Sequence, residues 1–161
     1  MSLVDRAQAL QAEAQQLFTQ LDLGSAFPWE PVLIGSALSG LMVDRDLDVM
    51  FDAPDATTAT ILTGVTTLAR HVELEAVDFR DERADRRPTP AITDERFYAV
   101  LHTDTWKIDL TFWLHVVERP HVADALRLRD ATDEQRRRIL ELKDGDSDRD
   151  SSAIYAAVLG T

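Results

Sequence analysis

The stretch from Val32 to Phe51 constrains this chain more than any other. It opens on an apolar run, Val32-Leu33-Ile34, and breaks at Gly35-Ser36. It then crosses small residues to Gly40 and ends in Asp46-Leu47-Asp48-Val49-Met50-Phe51. Side chains alternate across a strand, so Asp46 and Asp48 share one face while Leu47, Val49 and Phe51 share the other. The apolar set must be buried, which holds the two acids side by side above a core. Such a pair is tolerated when a divalent cation neutralises it or when one acid stays protonated. Mg²⁺ suits the arrangement, because it takes one or two carboxylates, several waters and the phosphates of a substrate. The Gly-Ser corner would supply the phosphate contacts. Gly35 lets backbone approach a ligand, Ser36 offers a hydroxyl, and the N–H groups opening the next turn favour an anion. The stretch reads as one device for holding a metal-bound nucleotide.

A third acid stands alone in a later apolar run, Trp106-Lys107-Ile108-Asp109-Leu110-Thr111-Phe112-Trp113. With these pieces in order, the chain resembles the DNA polymerase beta-like nucleotidyltransferase superfamily. That family's signature is an apolar residue, Gly-Gly or Gly-Ser, about ten variable residues, then Asp-apolar-Asp/Glu-apolar, with a further carboxylate on a later strand. Ile34-Gly35-Ser36, Asp46-Leu47-Asp48-Val49 and Asp109 are the matching residues. The resemblance implies an α+β nucleotidyltransferase fold, a mixed and mostly antiparallel sheet of about five strands packed by helices. It also implies that Asp46 and Asp48 hold two Mg²⁺ ions, with Mn²⁺ as a substitute, and that Asp109 shares the ion nearer the acceptor. Gly35 and Ser36 would bind the triphosphate of an NTP. Among relatives, the chain looks most like the small antibiotic-type enzymes, through Asp109-Leu-Thr-Phe-Trp and Ile154-Tyr155-Ala-Ala-Val-Leu. Many members carry a basic or hydroxylated residue soon after Gly-Ser. Here Ala37-Leu38 follow, so phosphate binding is expected to lean on backbone, Ser36, Ser39, Arg45 and Lys107.

A chain of 161 residues suits one domain with a small appendage. We divide it into a core over residues 1–118, including an N-terminal helix, and a helical C-terminal appendage over 119–161. Cysteine is absent, which removes disulfides, thiolate metal sites and thiol nucleophiles. No run is long and apolar enough to span a bilayer and no signal peptide pattern is present, so a cytoplasmic protein is expected. The net charge of −12 disfavours long nucleic acid as a partner and suits a small, preferably cationic, acceptor.

Apolar residues at three- and four-residue steps predict an amphipathic helix over 4–21, ended by Gly24. Met1-Ser2-Leu3 is given no structural weight. Trp29, in the rigid Phe27-Pro28-Trp29-Glu30-Pro31 segment, reads as a packed anchor. Ala53-Pro54 ends the Asp46 strand, and Asp55 is expected to cap a helix running to Arg70. A third strand is expected over 72–79, an exposed mobile loop over 80–95, and a hairpin of strands 96–101 and 106–114. Lys107, Asp109 and Thr111 share a face there. Three helices follow. Pro120 opens the first, a Thr132–Gln135 capping box starts the second, and an acidic linker over 144–150 leads to the third, over 152–159.

Other motifs fail on named residues. An EF-hand reading from Asp44 puts Val49 where a glycine is needed, and a P-loop reading of Gly35–Gly40 puts Leu41-Met42 in place of Lys-Ser/Thr. His71, His102, His115 and His121 have no ligand spacing. Two functions follow from the resemblance. One is metal-dependent transfer of an NMP, with AMP favoured, from an NTP to a hydroxyl of a small-molecule or protein acceptor. The other is a degenerate or regulatory module, such as one half of a toxin–antitoxin pair. A homodimer or partner protein would complete the acceptor pocket in either case.

Overall fold

The computed structural model describes residues 1–146 and 150–160, so part of the acidic linker lies outside it, as does the side chain of His121. Strands β1 (Val32–Ile34), β2 (Asp46–Asp52), β3 (Ala76–Glu82), β4 (Arg96–His102) and β5 (Lys107–Trp113) form one sheet in the order β1-β2-β5-β4-β3. β2 and β5 run parallel and the other pairs antiparallel. The fold is α+β, a mixed and mostly antiparallel sheet packed by helices.

Alternation gives the sheet two unlike faces. Leu47, Val49, Phe51, Phe97, Ala99, Leu101, Ile108, Leu110 and Phe112 point to one side and are essentially inaccessible. Helices α1 (Leu3–Leu21) and α4 (Thr58–Leu68) close that side with Leu10, Ala14, Leu17 and Leu21 from one and Ile61, Val65 and Leu68 from the other. Phe51 stacks on Phe112 with ring centres 4.7 Å apart, and Phe27 meets both edge-on at 5.2 and 5.0 Å. Burying each of these rings contributes about 2–3 kcal/mol, so the core strands are firmly registered. The opposite face carries Asp46, Asp48, Lys107 and Asp109, and the parallel register sets Asp48 directly beside Asp109.

Short helices α2 (Leu23–Ala26) and α3 (Gly35–Ser39) flank β1. After β5, helix α5 (Pro120–Arg129) packs on α3, α6 (Asp133–Asp144) packs on α1, and α7 (Ser151–Leu159) packs on α6. Their apolar residues, with Ala7, Leu41 and Val43, make a second, smaller core around Leu128, Ile139 and Leu140. The capping box at Thr132 and Gln135 is present.

Several boundaries differ from the sequence reading. The hydroxyl of Ser2 accepts from the Asp5 N–H and caps α1, and that helix ends at Asp22 in a left-handed conformation, before Gly24. Thr57 caps α4; Asp55 instead accepts a hydrogen bond from Trp29 Nε1 at 2.8 Å, and the Trp29 ring packs edge-on to Phe112. β3 lies four residues later at its start than the alternation suggests, because pairing with β4 starts at Ala76 opposite His102. Its charged residues are tolerated because it is an edge strand. The segment after it is tied down: Arg83 and Arg86 both pair with Asp81, and Arg87 donates to the Thr93 carbonyl.

Candidate functional site

The corner between β1 and α3 is held by Gly35 at φ +66°, a backbone conformation that glycine adopts without strain. A Cβ there would lie 2.5 Å from Asp48 Oδ2, so only glycine lets the corner and the carboxylate approach this closely. The carboxyl of Asp48 is pushed up to about 7, first by burial, then by the negative charges of Asp109 and Asp46. Asp109 sits across the strand pair. Its Oδ2 accepts a hydrogen bond from the Tyr98 hydroxyl at 2.9 Å and faces Lys107 Nζ at 3.6 Å. Its Oδ1 is buried and has no hydrogen-bond partner among the described residues. The Tyr98 phenol is raised above its ordinary range by burial and by the charge of Asp109.

A cavity of about 280 Å³ opens between this corner and the C-terminal helices. Gly35, Ser36, Asp46 and Asp48 line it from the sheet side, and Lys143, Ser151 and Tyr155 from α6 and α7. Lys143 is buried, donates to the Leu41 carbonyl and lies 3.4 Å from the Tyr155 hydroxyl. Of these three C-terminal residues only Tyr155 figures in the sequence reading, within Ile154-Tyr155-Ala-Ala-Val-Leu and with no site role; Lys143 reads there only as the helix's last residue. A larger cleft of about 610 Å³ lies between α1 and the β4–β5 turn and contains none of the site residues. Chemistry, not size, selects the smaller cavity.

The other phosphate-binding candidates fall outside it. Ser39 is buried, bridging the Ser36 carbonyl and the Leu41 N–H, which locks the turn after Gly35. Arg45 points to α1, where its guanidinium pairs with Glu13 at 2.9 Å. Lys107 is half-exposed on the open face and stays beside Asp109.

Among the described residues, no three acidic or imidazole side chains converge into a preformed metal cluster. The structure instead offers Asp48 against Asp109, with Asp46 on the same strand face and one buried Asp109 oxygen without a partner among the described residues. That incomplete, all-oxygen set fits Mg²⁺, which completes its shell with water and substrate phosphate. It is too hard and too open for a structural zinc site.

The five-strand sheet and the helices around it are shared by solved structures. Cid1 poly(U) polymerase with MgGTP bound aligns with TM-score 0.54 and 20% identity, over 86% of this chain and 42% of its own. A second Cid1 structure, described for RNA terminal uridylyl transferase activity, aligns at 0.52 and 21%, over 86% and 39%. A chain of the GLD-2/RNP-8 complex aligns at 0.52 and 14%, over 94% and 62%. This chain therefore spans less than two thirds of each of those chains. No protein-family model and no curated protein sequence matches it.

Proposed function

We propose that the protein is a metal-dependent nucleotidyltransferase that moves an NMP, with AMP favoured, from an NTP to a hydroxyl of a small-molecule or protein acceptor in the cytoplasm. The observation that carries this reading is the half-buried pairing of Asp48 with Asp109 beside Gly35, with one oxygen of Asp109 unpartnered among the described residues. Asp46, Asp48 and Asp109 would hold two Mg²⁺ ions, which when bound supply charge neutralisation at the attacking and departing oxygens.

The chain's own residues do the rest. Gly35 clears space for a phosphate against the backbone, and the Ser36 hydroxyl donates to it. Lys143, from the proposed C-terminal appendage, adds a positive charge on the far wall of the cavity, and the Ser151 and Tyr155 hydroxyls add donors. The cavity would take the triphosphate of the NTP. Asp109, beside Asp48 on the same sheet face and outside the cavity's lining, would orient the acceptor hydroxyl and take up its proton. Holding acceptor and phosphate in line is where the fold would gain most of its rate.

Thermal shift with ATP, GTP, CTP and UTP, with and without Mg²⁺, tests the reading. Stabilisation should need both nucleotide and metal and should vanish in Asp46→Asn/Asp48→Asn. At saturating ligand, about one hundred times its Kd, the gain is about 2.7 kcal/mol. No shift with any nucleotide would overturn the enzyme and leave the degenerate module.

A further inference from the structure

The open face of the sheet carries a chain of contacts that ends on Asp109. Glu82 on β3 is almost fully buried, and its Oε2 accepts from Arg96 Nε at 2.7 Å. Arg96 Nη1 also donates to Thr111 Oγ1 at 3.3 Å, so the guanidinium is held from both neighbouring strands. That guanidinium lies over the Tyr98 ring, 4.0 Å from its centre. The ring is therefore stacked on a clamped cation, and its hydroxyl reaches diagonally to Asp109 Oδ2 at 2.9 Å. The antiparallel register makes the reach possible: Tyr98 lies opposite Thr111, two residues from Asp109 on the same face, a diagonal that an aromatic side chain spans.

We propose that Tyr98, clamped by Arg96 and Glu82, is a positioning residue that fixes the rotamer of Asp109 and leaves its Oδ1 as the oxygen available to a divalent cation. The inference rests on the nucleotidyltransferase reading of the three acids. A carboxylate on a strand with no second contact would sample several rotamers, and repulsion from Asp48 would favour those turned away from the pair. The phenol opposes that rotation by holding Oδ2. Lys107 cannot do the same work: at 3.6 Å and half-exposed it is an electrostatic neighbour without a directional bond to the carboxylate. The orphaned Oδ1 is the counterpart of this arrangement, one oxygen committed to the protein and the other not. Hydrogen-bonding partners of metal ligands typically change metal affinity by about 10- to 100-fold.

The test is a Mn²⁺ titration followed by EPR on the nucleotide-free protein, comparing the wild type with Tyr98→Phe, Glu82→Gln, Asp109→Asn and Asp46→Asn/Asp48→Asn, with metal-free melting temperatures measured alongside. Tyr98→Phe keeps the ring and loses only the donor. It should weaken Mn²⁺ about 10-fold with little change in metal-free melting, a split that a purely structural role would not give. Glu82→Gln loosens the clamp at its far end and should weaken Mn²⁺ by about 3-fold, which keeps the test open if Tyr98→Phe does not fold. Wild-type affinity in both variants, with binding lost in Asp109→Asn, overturns the positioning role and leaves the metal site standing. Equal Mn²⁺ binding by the wild type and the Asp46→Asn/Asp48→Asn variant overturns the metal-site reading itself, and the proposal with it.

Discussion

At the scale of single residues, Asp48 couples folding to pH. Its carboxyl is raised to about 7, whereas an ordinary aspartate titrates near 3.9. A carboxyl with a raised value contributes stability that is complete below the unfolded value and is lost as pH rises through the folded one. The metal-free protein should therefore weaken between about pH 4 and pH 7 on account of this group. The full gap corresponds to about 4 kcal/mol, but Asp48 titrates against two neighbouring acids, so about half of that is expected for one side chain. In metal-free buffer, Asp48→Asn should match the wild type at low pH and exceed it by about 2 kcal/mol above pH 7. Denaturant titrations across pH measure the difference; one that stays flat would mean that Asp48 ionises as readily folded as unfolded. Mg²⁺ favours the charged form and should remove the variant's advantage.

At the scale of elements, packing overrides propensity in α4. Gly64 sits inside this helix, where alanine would ordinarily stabilise by about 1 kcal/mol. Here a Cβ would stand 2.1 Å from Phe27 Cε1 and 2.9 Å from the Ala26 carbonyl oxygen. Phe27 cannot yield, because it is wedged edge-on against Phe51 and Phe112. Overpacking should win, and Gly64→Ala should destabilise by about 2 kcal/mol, lowering the melting temperature by about 6 °C. Unchanged melting would show that the α2–α4 contact relaxes freely. Legibility in sequence follows the same division between local and long-range physics. Alternation around Asp46-Leu47-Asp48 and the Thr132–Gln135 box are local patterns, and they appear in the strands and helices as read. The start of β3 depends on its partner β4, and the turning of Arg45 toward Glu13 depends on α1, so neither is written in its own segment. Lys143 and Tyr155 reach the cavity only because α6 packs on α1 and α7 on α6, which brings Lys143 to the carbonyl of Leu41, 102 positions away.

For the whole molecule, charge bears on whether a long nucleic acid can be the acceptor. The Cid1 structures are described as those of a poly(U) polymerase and an RNA terminal uridylyl transferase. This chain carries −12, and the cations on and beside its open sheet face are each matched by an acid: Arg80 by Asp78, Arg96 by Glu82, Lys107 by Asp109, and Arg119 by Asp94. A polyphosphate backbone would have to displace those acids one by one, and would gain little counterion release in return. On the proposed reading a single NTP would avoid the cost, its charge met by divalent cations at the carboxylates and by Lys143 in the cavity. Filter binding with a 20-nucleotide single-stranded RNA at physiological salt should give a Kd weaker than about 10⁻⁴ M, the weak end of non-specific binding, with a shallow salt slope. NTP binding with Mg²⁺ should persist under the same conditions. RNA binding at micromolar concentration with a steep salt slope would mean that the paired arginines open to phosphate, and would make an RNA hydroxyl the acceptor to pursue.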